Sequence, residues 1–250
     1  MSTTSRDAAY RTLPLGMEEL DHAYGDNVHV LADPFAMTQL ARLCHPETTQ
    51  PLFNGLVAEL YRHLLVAVVN REFPRTQVVS PTRMNAVTPR GRYEGEALDR
   101  DAQVVCVDIA RAGILPSQVC FDMLNTVLRP EAVRQDHLLM SRTTDEDDQV
   151  SGAEISSAKI GGPIDGRIVL FPDPMGATGS SMATAIDYYL AHHGSAPAKI
   201  ITLNLIVTPE FVRTLRERHP GVVLYALRLD RGMSPDDVLA TRCGERWSEE

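Results

Sequence analysis

Four short apolar runs recur along the C-terminal two thirds of the chain: Val104 to Ala110, Arg167 to Phe171, Lys199 to Val207 and Val222 to Leu229. Runs of this length, rich in Val, Ile and Leu and without polar alternation, are the pattern of strands buried on both faces. The segments between them carry helical periodicity. Pro116 opens one with Val119, Met123 and Val127 on one face before Pro130 ends it; Ser180 to His193 is a second, with Met182, Ile186 and Tyr189 turned inward and Gly194 at its C-cap. Thr208-Pro209 caps and starts a third, which stops at His219-Pro220-Gly221. Strands alternating with helices of this length predict an α/β fold: a mostly parallel sheet flanked by helices, with right-handed crossovers. A further strand is expected at His137 to Ser141, followed by a polar, acidic loop from Thr143 to Gly152.

Upstream, residues 1 to 32 are polar and without a clear period, an irregular N-terminal arm. Asp33-Pro34 is an N-cap followed by proline at the first helical position, with Met37, Leu40 and Leu43 behind it. From Pro51 to Asn70, Leu52, Leu56, Leu60, Leu64 and Val68 recur every four residues, a face that should pack on a sheet. Residues 71 to 101, rich in Arg, Pro and Gly, are expected to be irregular or short-stranded. At 250 residues and 44% hydrophobic content the chain can bury one substantial core, so a single domain is expected. The apolar runs fall short of the ~20 residues that span a bilayer. Four cysteines without a CxxC pair give neither a zinc site nor a disulfide framework, which fits a reducing cytoplasm. A net charge of −9 argues against a nucleic-acid surface.

In open parallel sheets, ligands bind at the carboxyl ends of the strands, where strand order reverses. Two loops leave strands with unusual chemistry there: Arg111-Ala112-Gly113 after the first run, and Asp173-Pro174-Met175-Gly176-Ala177-Thr178-Gly179-Ser180-Ser181 after the second. In the second, Gly176 and Gly179 let successive amides turn inward, Thr178, Ser180 and Ser181 add hydroxyls, and the following helix adds the positive end of its dipole. That is a cup for a phosphate. Asp173 would repel an adjacent phosphate but suits the vicinal hydroxyls of a ribose, so the pair fits a ribose 5-phosphate. Taken alone, the same segment is equally a turn and a helix cap, and a lone Arg111 is equally a solvated surface residue. His192-His193 at a helix end reads as a dipole contact, Asp145 to Asp148 as a solvated loop, and Cys106 and Cys120 as small core residues.

Together the loops resemble the uracil phosphoribosyltransferase family of type I phosphoribosyltransferases, whose members carry R-A-G after one strand and D-P-M-x-A-T-G-G-S after a later one. The resemblance spans roughly residues 50 to 232. It includes Ser141-Arg142-Thr143-Thr144-Asp145-Glu146, similar to the family's Y-R-x-E-E, and the late HPGVVLYALRLDRG stretch. It implies transfer from 5-phosphoribosyl 1-diphosphate (PRPP) to a pyrimidine base, with uracil giving UMP and pyrophosphate. The alternative is a catalytically silent PRPP- or nucleotide-binding protein. Carried across, the 5′-phosphate would lie on Ala177 to Ser181 and the ribose hydroxyls on Asp173. Arg111 with the Ala112 and Gly113 amides would take the pyrophosphate, and Arg142 would reach over it from a mobile loop. Mg²⁺ would be held mainly through PRPP, and a homodimer or higher homo-oligomer is the implied assembly.

The chain also departs from the pattern. The family's C-terminal P-G-L-G-D segment, whose backbone reads the base, has no counterpart in residues 233 to 250, although Cys243-Gly244-Glu245-Arg246 echoes its A-G-D-R. Residues 33 to 232 are therefore the expected core and 233 to 250 a divergent tail. Pro172 precedes the aspartate, Gly176 replaces Leu and Ser180 replaces Gly. Asp108-Ile109-Ala110 stands where the family has a more apolar P-I-L.

Overall fold

The computed structural model describes residues 18 to 144, 150 to 194 and 196 to 245. Six strands run parallel: β1 (Val28–Val30), β10 (Val223–Leu229), β9 (Lys199–Val207), β7 (Ile168–Pro172), β4 (Val104–Ala110) and β5 (Val133–Thr144), adjacent in that order. β6 (Val150–Lys159) closes one edge antiparallel to β5, and the two-residue β8 (Met175–Gly176) pairs with the end of β9. The expected parallel sheet is thus present, with flanking helices on both faces.

Alternation along the strands sorts the core into two layers. Val104, Cys106, Leu170, Ile201 and Leu203 point towards α1 (Pro34–Leu43), α2 (Leu52–Glu72) and α3 (Ile114–Val127). Val105, Val107, Val169 and Phe171 point towards α4 (Ser180–His192) and α5 (Pro209–Arg218). The length and apolar content of α2 would suit a bilayer, but Leu60, Tyr61, Leu64, Leu65 and Val68 are at most 1% exposed against the sheet. The expected caps form: Asp33 accepts from the Ala36 amide at 3.0 Å, and the Thr208 hydroxyl from that of Phe211 at 3.2 Å. Cys106 and Cys120 are buried free thiols, and His192 stacks on Tyr188 at the last turn of α4, with its ring centroid 4.5 Å away.

Four expectations change. The N-terminal arm contributes β1, whose three residues pair with β10, and the Leu20 amide donates to the Val30 carbonyl of β1 at 2.8 Å. Residues 71 to 101 form an antiparallel arm, β2 (Arg75–Pro81) with β3 (Arg92–Leu98), outside the main sheet. α3 starts two residues before Pro116, and its buried side runs through Pro116, Ser117, Val119, Cys120 and Leu124, leaving Val127 exposed. The polar segment after Ser141 continues β5 to Thr144 and returns as β6 from Val150, so both ends of the expected loop belong to a ribbon; residues 145 to 149, with Asp145 to Asp148, lie outside the described residues. Its sequence VSGAEISSAK could not announce a strand, since only Val150 and Ile155 are large apolar residues. The base of the ribbon is fixed by Asp136, fully buried, whose carboxylate accepts from Arg134 Nε at 3.0 Å, the Tyr189 hydroxyl at 2.7 Å and the Gly161 amide at 2.9 Å.

Candidate active site

The chain passes from β4 to β5 on one side and returns through β7 on the other, so strand order reverses between β4 and β7. The crevice at their carboxyl ends is where such sheets hold ligands, and both notable loops leave from it.

After β4 the Ala110–Arg111 peptide is cis, and the loop folds straight back onto the strand: the Gly113 amide donates to the Ile109 carbonyl at 3.0 Å, and the Ser117 amide to the Gly113 carbonyl at 2.9 Å. A Cβ on Gly113 would lie 2.8 Å from the Ile109 nitrogen and 3.1 Å from the Pro172 carbonyl oxygen. Glycine is therefore required by close approach, and the two loops touch at the ends of β4 and β7. Arg111 and Ala112 remain exposed at the lip.

After β7, α5 shapes the second loop through its carbonyls. The Thr208 amide donates to the Gly176 carbonyl at 3.0 Å, the Thr208 hydroxyl bonds the Ala177 carbonyl at 2.5 Å, and the Thr214 hydroxyl the Thr178 carbonyl at 2.7 Å. With the carbonyls drawn towards α5, the amides of Ala177, Thr178 and Gly179 donate to no group among the described residues. Gly179 reaches φ +81°, and a Cβ there would come within 2.9 Å of Thr214 Cβ. Ser180 and Ser181 open α4, with the Thr178 and Ser180 hydroxyls 3.0 Å apart. Free amides, hydroxyls and a helix N-terminus on one short loop form a site for an anion.

Asp173 stands between the two loops. Its backbone is pinned on both sides: its amide donates to the Leu203 carbonyl at 3.0 Å, and its carbonyl accepts from Asn204 Nδ2 at 2.6 Å. The Leu203 carbonyl is held in turn by the Tyr61 hydroxyl at 3.1 Å. Loss of hydration pushes the Asp173 carboxyl up to about 7, so near neutrality it is poised between acid and anion. Pro174 accepts from the Leu205 and Ile206 amides, both at 3.1 Å, which turns Met175 outward and brings Gly176 against Phe211.

Arg142, expected on a loop, lies with its backbone in β5 opposite Ala153; its side chain is outside the described residues. The tail is described as far as Glu245 and is held by α5 and the N-terminal segment. Met233 donates its amide to Glu210 at 2.9 Å, and the chain then runs to the β1 edge, where the Ala23 amide bonds the Cys243 carbonyl at 2.8 Å and Arg242 pairs with Asp21 at 2.7 Å. Residues 243 to 245 are thus placed against the N-terminal segment, not the cup, and Arg246 lies outside the described residues. Sequence reasoning missed Thr214 and Asn204, which hold the second loop from other elements, and Tyr61, which holds the Leu203 carbonyl beneath it. No local signal marks them, since their partners lie 31 to 142 residues away. Among the described residues no cluster of three or more His, Cys, Asp or Glu could hold a metal ion.

Comparison with known proteins agrees with this architecture. The model of the family described as uracil phosphoribosyltransferase matches residues 30 to 246. The uracil phosphoribosyltransferase of Acidovorax sp. (strain JS42) is 27% identical over 219 residues, 88% of this chain and 95% of that protein. That of Ligilactobacillus salivarius (strain UCC118) is 29% identical over 194 residues, 77% and 82% respectively. Among solved structures, the AQ2163 protein from Aquifex aeolicus aligns at a TM-score of 0.66 with 19% identity, over 84% of this chain and 89% of its own. The adenine phosphoribosyl transferase from Trypanosoma brucei aligns at 0.51 with 13% identity, over 93% and 94%. These structural likenesses place the fold among the type I phosphoribosyltransferases. The family match, which covers most of the chain, shows more: the chain belongs to the uracil phosphoribosyltransferase family and is a pentosyltransferase.

Proposed function

We propose that the protein transfers the phosphoribosyl group of PRPP to a pyrimidine, uracil first, giving UMP and pyrophosphate. The observation that carries this reading is the meeting of two anion-competent loops, Arg111 to Gly113 and Asp173 to Ser181, at the one point where strand order reverses. Ala177 to Ser181 bind the 5′-phosphate through unpaired amides and hydroxyls, with Pro174, Met175 and Gly176 setting the course of the loop. Asp173 accepts the ribose hydroxyls. Arg111, with the Ala112 and Gly113 amides, holds the pyrophosphate, and Arg142 approaches it from the β5–β6 ribbon.

In the reaction the bond from the ribose C1′ to the pyrophosphate oxygen breaks with its electron pair leaving on pyrophosphate, the base nitrogen bonds to C1′, and the proton that nitrogen carried is released. Positive charge on the sugar and negative charge on the leaving group are both at their greatest between those events. The residues act by position and charge, with no protein nucleophile. The single carboxylate and the absence of an acidic cluster among the described residues fit Mg²⁺ held through PRPP oxygens, where it would neutralise the leaving diphosphate.

A second reading, a PRPP- or nucleotide-binding protein without turnover, is favoured by the described part of the tail, residues 233 to 245, which runs to the β1 edge and carries no P-G-L-G-D segment. The same assay separates the two: Mg-PRPP with uracil, cytosine, hypoxanthine or orotate, measuring pyrophosphate. Release with a pyrimidine supports transfer; PRPP binding with silence across the panel establishes the second reading. Exposed Arg111 offers a check on the site. Arg111→Ala is expected to weaken PRPP binding by about ten- to a hundredfold while the melting temperature moves by about 2 °C or less. A comparable loss of fold would make Arg111 structural.

A cytoplasmic homodimer acting in UMP salvage fits this activity. The β2–β3 arm exposes Val79, Met84, Val87 and Tyr93, an apolar surface that a second copy would cover.

A further inference from the structure

β7 ends at Pro172, yet its line continues against β9 through Asp173 and Pro174. The Asp173 amide donates to the Leu203 carbonyl at 3.0 Å, and the Pro174 carbonyl accepts from the Leu205 amide at 3.1 Å. Between Leu203 and Leu205 stands Asn204, whose Nδ2 donates to the Asp173 carbonyl at 2.6 Å. A carbonyl only accepts, so this contact identifies the nitrogen of the side-chain amide and leaves Oδ1 as its other arm.

Asn204 is fully buried. It pairs in register with Ala226, as Thr202 does with Phe171, so both side chains enter the layer beneath α4 and α5. There Asn204 Oδ1 is enclosed and accepts no hydrogen bond from the described residues. A buried acceptor without a donor costs stability, and leucine, branched in the same way, would occupy the place without that cost. The fold therefore keeps a locally unfavourable side chain at a position from which it reaches Asp173. From the other face of the sheet the Tyr61 hydroxyl holds the Leu203 carbonyl at 3.1 Å, the oxygen that accepts from the Asp173 amide. Tyr61 thus steadies the amide side of Asp173, and Asn204 fixes its carbonyl side.

We propose that Asn204 is a positioning residue that sets the direction of the Asp173 carboxylate, and that through it the protein distinguishes ribose 5-phosphate from 2-deoxyribose 5-phosphate. The inference rests on the ribose reading of Asp173 given above. Holding the amide and the carbonyl of one residue fixes its backbone, and with it the direction of the Cα–Cβ bond. Without Asn204 the carboxylate swings off the sugar hydroxyls, while Thr208 and Thr214 keep the cup in shape for the phosphate. Asn204 itself does not touch the ligand.

The test is calorimetry at pH 8, where the Asp173 carboxyl is ionised, with ribose 5-phosphate and 2-deoxyribose 5-phosphate as probes of wild type, Asn204→Leu and Asn204→Ala. A hydroxyl bonded to a carboxylate contributes on the order of tenfold in affinity, so wild type is expected to prefer ribose 5-phosphate by about that factor. Both variants are expected to narrow the preference to about twofold or less, with Kd for the deoxy sugar unchanged. The melting temperature of Asn204→Leu is expected to equal or exceed that of wild type, since the orphaned acceptor is gone. The ratio of the two Kd values separates positioning from support of the fold. Partial unfolding removes binding sites without changing the preference of those that remain. If leucine overpacks the site, alanine, which is smaller than asparagine, reads the same ratio. A wild-type preference in the folded variants, or failure of both to fold, overturns the role of Asn204 and leaves the reading of Asp173 standing. Equal binding of the two sugars by wild type, or none, sinks the ribose reading and this inference with it.

Discussion

Asp173→Asn is expected to lower kcat/KM for PRPP by about 10²- to 10³-fold and, at pH 8, to raise the melting temperature. The two effects have one cause. The carboxyl is held where water is scarce, and its pKa is pushed from 3.8 to about 7. Between those values the folded protein binds a proton that the unfolded chain has released. Stability therefore falls as pH rises from about 4 to 7, and the loss is complete above 7. In a dry interior that interval corresponds to about 4 kcal/mol; the opening of the crevice to solvent reduces it to about 2 kcal/mol. Asparagine has no such loss. Its melting temperature should exceed wild type by about 4 to 6 °C at pH 8 and by progressively less towards pH 5. Activity moves the other way, because asparagine cannot offer two anionic acceptors to a pair of ribose hydroxyls. Thermal melts at several pH values and steady-state kinetics test both halves. A variant that is destabilised at pH 8, or that keeps near-wild-type kcat/KM, removes Asp173 from this role.

Gly176→Leu, the change that restores the family residue, is expected to destabilise the protein by about 3 kcal/mol. A Cβ at Gly176 would lie 2.6 to 2.8 Å from three ring carbons of Phe211, which is 1% exposed in the layer between the sheet and α5. The ring already fills the space a leucine would need. Phe211→Ala should cost about 3 to 4 kcal/mol by leaving a cavity. The double variant should be more stable than either single one, because the leucine then enters the vacated volume. Urea midpoints of the four proteins form the cycle. Simple addition of the two losses would show that leucine at 176 fails for another reason.

Much of the fold was readable because its signals are local. Lys199 to Val207 is a strand with the expected bounds, since six of its nine residues are Ile, Leu or Val and it ends at a Thr-Pro cap. The two site loops were readable for the same reason, as glycine, hydroxyl and charge fall within nine consecutive residues. Other elements depended on partners far away. β1 is three residues long and contains His29, so nothing in it marks a strand until β10 lies alongside. β6 needs β5, and Asp108 made no sense until His137 stood beside it, 29 residues away. Gly176 invited a reading as a phosphate-loop glycine; its tightest contact is with Phe211, from a helix 35 positions on.

The ribbon that closes the sheet has a consequence for how the protein behaves at high concentration. β6 leaves its outer side without a strand partner among the described residues, a template on which a second chain could add. Its register with β5 slips between Leu139↔Ser157 and Met140↔Ile155, leaving Ser156 as the extra residue, with its hydroxyl on the Leu139 carbonyl at 3.1 Å. Such a bulge bends and twists the edge, so an incoming strand cannot keep its bonds in step past it. Lys159 places a charge at the other end. A second slip, between Thr143↔Gly152 and Thr144↔Val150, repeats the device further out, so two small serines, Ser156 and Ser151, interrupt the edge on which filaments could otherwise grow.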